Sequence, residues 1–167
     1  LNIKTFLAND TANKSLTADY KLGKTLVAGK KPDNAVKGAW NYACYRSAAD
    51  KEVLRSGRTG ENVNINQLDS NDFFGRLSGY LETGKKGYYT FGMAGEPGTK
   101  LYIGDQLIME IAQDSDFRTF IVPMEKGFYS IRFEYSHHKG GREFGFGYRL
   151  PDEPGDGPIL PSVMYAP

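Results

Sequence analysis

Hydrophobic and polar residues alternate along much of the chain between residues 73 and 148, with the period of two that marks a β-strand with one buried face. Residues 128–135 show the pattern clearly, because aromatic and aliphatic side chains at the odd positions are separated by Ser, Arg and Glu at the even ones. The pattern predicts strands at 73–81, 88–93, 100–103, 106–111, 117–122, 128–135 and 144–148.

Turn sequences rich in glycine separate these strands. Residues 83–87 are predicted to close a hairpin, Gly104-Asp105 to close a second hairpin, and residues 125–127 to turn the chain again. Short strands at this spacing are typical of a sandwich or a barrel. The sequence therefore predicts an all-β fold, an antiparallel β-sandwich with minor helical turns.

The segments that flank this region are patterned more weakly. Residues 39–45 alternate and predict a further strand, in which Trp40 is expected to be a buried anchor rather than a sugar-stacking platform. Residues 46–72 are predicted to be a connection, with a helical turn at 48–54. The expected organisation is an N-terminal extension or edge strand at 1–38, the sandwich at 39–150, and a proline-rich strap or linker at 151–167.

Charge and composition exclude several classes of partner. The net charge is +1, from 21 basic and 20 acidic residues, so no strong field attracts nucleic acid or an anionic membrane. Nor is there an apolar run long enough to insert into a bilayer. Cys44 is the only cysteine, which rules out an internal disulfide and a multi-cysteine metal site.

Four segments in order carry a resemblance to a known family. They are residues 73–81 (FFGRLSGYL), 87–91 (GYYTF), 100–105 (KLYIGD) and 126–135 (KGFYSIRFEY). The order resembles the protective-antigen fourteen-kilodalton domain family (PA-fourteen), a β-sandwich found inside bacterial glycosidases, adhesins, toxins and yeast lectins.

The resemblance implies a carbohydrate-binding module without catalytic activity of its own. Its partners would be an oligo- or polysaccharide and the neighbouring domains of a larger glycan-processing protein. That protein would be secreted or at the cell surface, bacterial and possibly periplasmic, with the chain as a glycoside hydrolase accessory domain. The alternative is a structural or interaction domain that packs on a catalytic neighbour without binding sugar.

One departure from the family concerns calcium. Sugar-binding members carry two adjacent aspartates before a glycine, and this pair holds a Ca²⁺ that grips sugar hydroxyls. Here Glu96 and Pro97 precede Gly98. Proline offers no side-chain oxygen, whereas Ca²⁺ takes about six to eight oxygen ligands. No cofactor and no metal site are therefore expected, and the alternative that stays open is calcium bound through other oxygens.

The candidate ligand-binding residues lie in the predicted loops. They are Glu96, Gly98, Asp105, Asp114, Asp116, His137 and His138. Neighbouring residues in a strand point to opposite sides, so the two histidines are not expected to share a metal. The close pair of aspartates lies in a polar turn rather than facing across a cleft, and no nucleophile or phosphate-loop motif occurs, so no catalytic residue is predicted.

Four aromatic residues fall on the polar faces of the predicted strands, and two interpretations remain open for them. They form a flat sugar-stacking surface, or other parts of the fold cover them. These residues are Tyr80, Tyr88, Tyr102 and Phe128.

Overall fold

The computed structural model describes residues 2–5, 16–19, 24–59, 72–112, 118–141, 143–151 and 163–167. Within them the regular structure is almost entirely β. The strands are β1 (Asn2–Thr5), β2 (Leu16–Asp19), β3 (Val36–Lys37), β4 (Asn41–Tyr45), β5 (Arg55–Arg58), β6 (Phe73–Thr83), β7 (Gly87–Ala94), β8 (Lys100–Ile103), β9 (Gln106–Glu110), β10 (Arg118–Met124), β11 (Gly127–His137), β12 (Gly145–Arg149) and β13 (Met164–Ala166).

Two antiparallel sheets form the sandwich. The larger sheet has the order β3-β13-β6-β11-β8-β9, with β4 also paired to β6 and β5 paired to β4. The smaller sheet has the order β10-β7-β12. Strands β1 and β2 form a separate pair. The predicted all-β antiparallel sandwich is confirmed.

The core lies between the two sheets because the alternating apolar positions of both face inward. Tyr89, Phe91 and Met93 of β7 are fully buried, and they are opposed by the odd-numbered residues of β11. Trp40 is 2% exposed, and its indole N–H donates to the carbonyl of Tyr80 at 2.9 Å. The prediction that Trp40 is a core anchor is confirmed.

The predicted hairpin at 83–87 is wrong. Strand β6 pairs with β11 along its whole length, whereas β7 pairs with β10 and β12, so residues 83–87 carry the chain from one sheet to the other. Alternation of side chains shows that a strand has a buried face, but it does not show which strand lies beside it.

The connection predicted at 46–72 contains a strand. Residues 55–58 form β5, which pairs with β4 at an edge of the larger sheet and is exposed throughout. The sequence Arg-Ser-Gly-Arg shows no apolar alternation. An exposed edge strand needs no buried face, because backbone hydrogen bonds alone pair it with its neighbour. Residues 48–54 form a turn, in which Asp50 N donates to Ser47 O, rather than a helix.

The second predicted hairpin is present. Strands β8 and β9 pair across Gly104-Asp105, where Gly104 has a φ of 62°, a backbone conformation that glycine adopts without strain. The flanking segments complete the larger sheet, since β3 pairs with β13 and β13 pairs with β6. The domain boundaries at 38 and 150 stay predictions.

Candidate functional site

Two loops meet at one end of the sandwich, called here the Glu96 end. Residues 95–99 join β7 to β8, and residues 138–141 follow β11. The sheet register places them side by side, because β8 starts next to the last third of β11, with Lys100 paired to Glu134. The site is therefore built from segments about forty residues apart in sequence.

Glu96 joins the two loops. Its Oε2 contacts Nδ1 of His138, and a Cβ added to Gly141 would collide with its Oε1. The Glu96 side chain is 14% exposed, whereas that of His138 is 56% exposed. The carboxylate thus lies between the imidazole and the backbone of Gly141, and it acts as a brace that presents His138 to solvent.

Hydrogen bonds hold both loops in place. In the first loop, Thr99 Oγ1 donates to Glu96 O at 2.7 Å, and Gly98 N donates to Ile111 O at 2.7 Å. In the second, Gly141 N donates to His138 O at 2.9 Å. Lys139 N donates to Asp72 Oδ1 at 2.9 Å, which ties this loop to the start of β6. Such bracing reduces the entropy lost when a ligand binds.

His137 belongs to a different environment from His138. Its ring stacks on Phe73 with 4.9 Å between the centroids, and Phe73 is buried. The two imidazoles therefore have separate partners, one in an aromatic stack and one on Glu96, as expected for neighbouring residues at the end of a strand.

The sequence model of the PA14 domain matches residues 58–160, more than half of the chain. The chain belongs to the PA14 domain family. This is the family that the four ordered segments resemble. None of the curated proteins compared with the chain matches it significantly in sequence.

Solved structures similar to this PA14 domain come from several kinds of protein. The Epithelial Adhesin 9 A domain from Candida glabrata, in complex with Galβ1-3GlcNAc, is 14% identical, with a TM-score of 0.65 over 85% of this chain and 95% of that one. A beta-glucosidase from Kluyveromyces marxianus is 20% identical, with a TM-score of 0.62 over 77% of this chain and 18% of the glucosidase.

An anti-sigma factor domain-containing protein is 17% identical, with a TM-score of 0.64 over 83% of this chain. The match covers 51% of that protein, so this chain corresponds to only about half of its length. At these identities the likeness concerns the fold. Among the described residues, no helix has the length and apolar character needed to cross a membrane.

The described residues of this PA14 domain do not fit the calcium site of the sugar-binding members. Glu96 is engaged by His138, and Pro97 supplies no side-chain oxygen. Within the described ranges, no three His, Cys, Asp or Glu side chains are grouped so that they could hold a metal. The Glu96 carboxylate instead makes a charge-assisted contact with the His138 imidazole.

The candidate residues divide between two places. Glu96, Gly98 and His138 come together, with His137 beside them on Phe73. Asp105 lies at the other end of β8, in the turn whose Gly104 N donates to Ser130 O. Ser130 and His137 are seven residues apart on one strand, roughly 23 Å. Asp114 and Asp116 lie outside the described residues.

Sequence reasoning missed the roles of Gly141 and Asp72. Gly141 leaves room for the Glu96 carboxylate, and Asp72 accepts from the backbone of the second loop. The Gly140-Gly141 pair directly after the two histidines was the available signal, because adjacent glycines mark a close backbone approach.

The structure separates the four aromatic residues of the polar faces. Arg132 lies over the Tyr102 ring at 4.2 Å, and Phe128 packs edge-on against Tyr165 at 5.3 Å. Tyr80 is half-buried, and Tyr88 is 58% exposed. Coverage by other parts of the fold accounts for Tyr102 and Phe128, whereas Tyr88 remains open.

Proposed function

We propose that this PA14 domain is a non-catalytic carbohydrate-binding module of a larger secreted or cell-surface glycan-processing protein. The observation that carries the proposal is the pair of braced loops at the Glu96 end, on a sandwich of the PA14 family. The adhesin domain that shares this fold over 95% of its own length is in complex with Galβ1-3GlcNAc, which supports a sugar as the ligand class.

The Glu96 brace gives His138 a defined hydrogen-bonding character. A carboxylate only accepts hydrogen bonds, so the contact with Glu96 requires the proton on Nδ1 of His138. In the neutral imidazole, Nε2 is then an acceptor, on a side chain that is 56% exposed. A sugar hydroxyl can donate to Nε2, while the braced loops keep the ring in place.

A glycan array followed by calorimetry on the best ligand tests this proposal. Glu96→Gln is expected to weaken binding about tenfold, because its amide lets His138 adopt the other tautomer and removes a charge-assisted contact, a change of about 1.4 kcal/mol. Glu125→Gln removes the charge of another ion-paired carboxylate, at the opposite end of β11 from His137, and as the matched control it should bind as the wild type does. Equal affinity of the Glu96 variant would contradict the assigned role.

Sugar binding is expected to be independent of calcium, because Glu96 is already engaged and Pro97 offers no ligand oxygen. Calorimetry on the same sugar, once with excess Ca²⁺ and once with a chelator, should give the same affinity. A loss of binding in the chelator would show that a metal-assisted mode operates.

A second candidate function is that of a packing domain for a catalytic neighbour. It is favoured by apolar side chains that are exposed on one face of the adjacent strands β7 and β10, where Tyr88 is 58% and Ile121 49% exposed. Large exposed apolar side chains that lie together are a common feature of interaction surfaces.

Deleting residues 1–167 from the parent protein separates the two functions. A loss of activity confined to polymeric substrate indicates carbohydrate binding by the deleted domain. An equal loss on soluble and polymeric substrates indicates that the domain supports the catalytic neighbour by packing.

A further inference from the structure

A shallow groove of about 250 Å³ lies away from the Glu96 end, beside the turn between β8 and β9. It is called here the outer-face groove. Strands β6 and β11 contribute its floor, and the turn contributes one wall. The polar side chains that line it are Ser78, Tyr80, Asp105, Ser130 and Arg132.

The register of β6 and β11 sets the dimensions of the floor. Ser78 pairs with Arg132, and Tyr80 pairs with Ser130. Because alternate residues of a strand share a face, all four side chains lie on the outer face. Neighbouring strands are about 4.8 Å apart, and alternate residues along a strand are about 6.6 Å apart. The four side chains therefore frame an area comparable to one pyranose ring.

The wall of the groove is held against this floor. Gly104 N donates to Ser130 O at 2.8 Å, which ties the β8–β9 turn to β11 and places the exposed Asp105 at the rim. On the same strand, Arg132 is held over the Tyr102 ring at 4.2 Å. A stacked guanidinium keeps its N–H groups available at its edges.

The polar groups of the groove are largely free to meet a ligand. Within the described residues, the side chains of Ser78, Tyr80, Asp105 and Ser130 make no hydrogen bond or ion pair. Arg132 has only a long contact with Glu134, with 3.7 Å between Nε and Oε1. Together they offer three hydroxyls, a carboxylate, a guanidinium and an aromatic ring.

We propose that the outer-face groove is a second binding site, which holds one neutral pyranose ring. An aromatic ring with several hydrogen-bonding groups suits a sugar, whose hydroxyls need partners and whose C–H face packs on a ring. Asp105 accepts from adjacent hydroxyls, and Arg132 donates to sugar oxygens. Asp105 repels the carboxylate of a uronic acid, and Arg132 repels the ammonium group of an amino sugar, so a neutral sugar is favoured. The proposal shares its ligand class with the proposed function but none of its residues.

Nuclear magnetic resonance of the ¹⁵N-labelled domain, titrated with β-lactose and with glucose, tests the second site. At least one of the two sugars should shift the amides of Gly104, Asp105 and Ser130. Asp105→Ala should weaken this titration at least tenfold while leaving any shifts at Gly98, Lys139 and Gly141 unchanged. Asp33→Ala, at another exposed aspartate, should leave both groups of shifts as they are.

The two sites can fail separately. Shifts at the Glu96 end alone would overturn the second site and leave the proposed function standing. Shifts at the groove alone would overturn the sugar-binding role of the Glu96 end and leave the second site standing. Silence at the groove with both sugars, or a titration that Asp105→Ala does not change, would also overturn it. Tighter binding of glucuronate than of glucose would overturn the assignment to a neutral sugar.

Discussion

At the residue scale, glycines on β6 mark where large aromatic side chains need room. A Cβ added to Gly75 would overlap the ring of Tyr135, and one added to Gly79 would overlap the indole of Trp40. Both aromatic side chains are buried in the tightly packed core, where little space is left for them to move. The strand is thus shaped to receive the core rings.

Gly75→Ala is expected to destabilise the domain by about 1–3 kcal/mol, since an extra methyl group in a packed core forces its neighbours to shift. The midpoint of urea unfolding measures this effect. Gly84→Ala is the matched control, because nothing lies within 4 Å of its added Cβ. A Gly75 variant as stable as the control would contradict the packing described for Tyr135.

Residue identity alone predicted part of this arrangement. The core position of Trp40 followed from its place in an alternating segment, and the structure confirms it. The partner of Glu96 could not be predicted, because His138 lies 42 residues further along the chain and meets it only through the pairing of β8 with β11. Non-local contacts of this kind have no local sequence pattern.

At the element scale, buried hydroxyls stabilise two of the corners at which the chain passes between the sheets, the one from β6 to β7 and the one from β10 to β11. Thr83 Oγ1 donates to Glu125 O at 2.7 Å and accepts from Gly127 N at 3.0 Å. The hydroxyl of Tyr89 donates to Lys85 O at 2.8 Å, and that of Tyr129 accepts from Glu125 N at 2.8 Å. These bonds replace the ladder bonds that a hairpin would supply.

Thr83→Val is expected to cost about 1–3 kcal/mol of stability, because it keeps the shape of the side chain while removing the hydrogen bonds that the buried hydroxyl makes with Glu125 O and Gly127 N. Thermal or urea unfolding measures the loss. The same substitution at Thr119, which is exposed on β10, should change stability little. Equal stability of the two variants would show that the corner does not depend on the hydroxyl.

Alkaline pH is expected to weaken the same corners. Burial raises the pKa of Tyr89 and of Tyr129, although the backbone N–H groups of Lys85 and Glu125 offset part of the rise. The folded state therefore holds these protons more tightly than the unfolded state. Their contribution to stability is complete below the unfolded pKa of about 10 and is lost as the pH rises through the folded pKa.

Urea unfolding from about pH 9 to about pH 11 should therefore show a falling free energy of unfolding. Tyr89→Phe should make this slope shallower, because it removes one of the titrating groups. Tyr88→Phe, at the exposed neighbouring position, should leave the slope as it is. A slope that Tyr89→Phe does not change would contradict the assignment.

The existence of most strands was predictable from their alternation, but their partners were not. Strands β6 and β7 are consecutive and both have a buried face, yet they belong to opposite sheets. Strand β5 was missed because its four exposed residues carry no apolar pattern. Pairing between edge strands depends on backbone groups, which every residue except proline supplies alike.

At the scale of the whole molecule, the sandwich keeps the two proposed binding sites apart. Glu96 and His138 lie at one end, and the outer-face groove lies near the other end of β8 and on the side of the larger sheet. Segments on either side of the central strands complete that sheet through β3 and β13. Binding residues are commonly found on loops that a sheet scaffold positions, as proposed here for the Glu96 end.

A crystal structure of the domain with the sugar that binds best on the array tests the central claim most directly. The sugar should lie intact against residues 95–99 and 138–141, within hydrogen-bonding distance of the His138 imidazole. A sugar found only elsewhere on the domain, or found cleaved, would contradict the account.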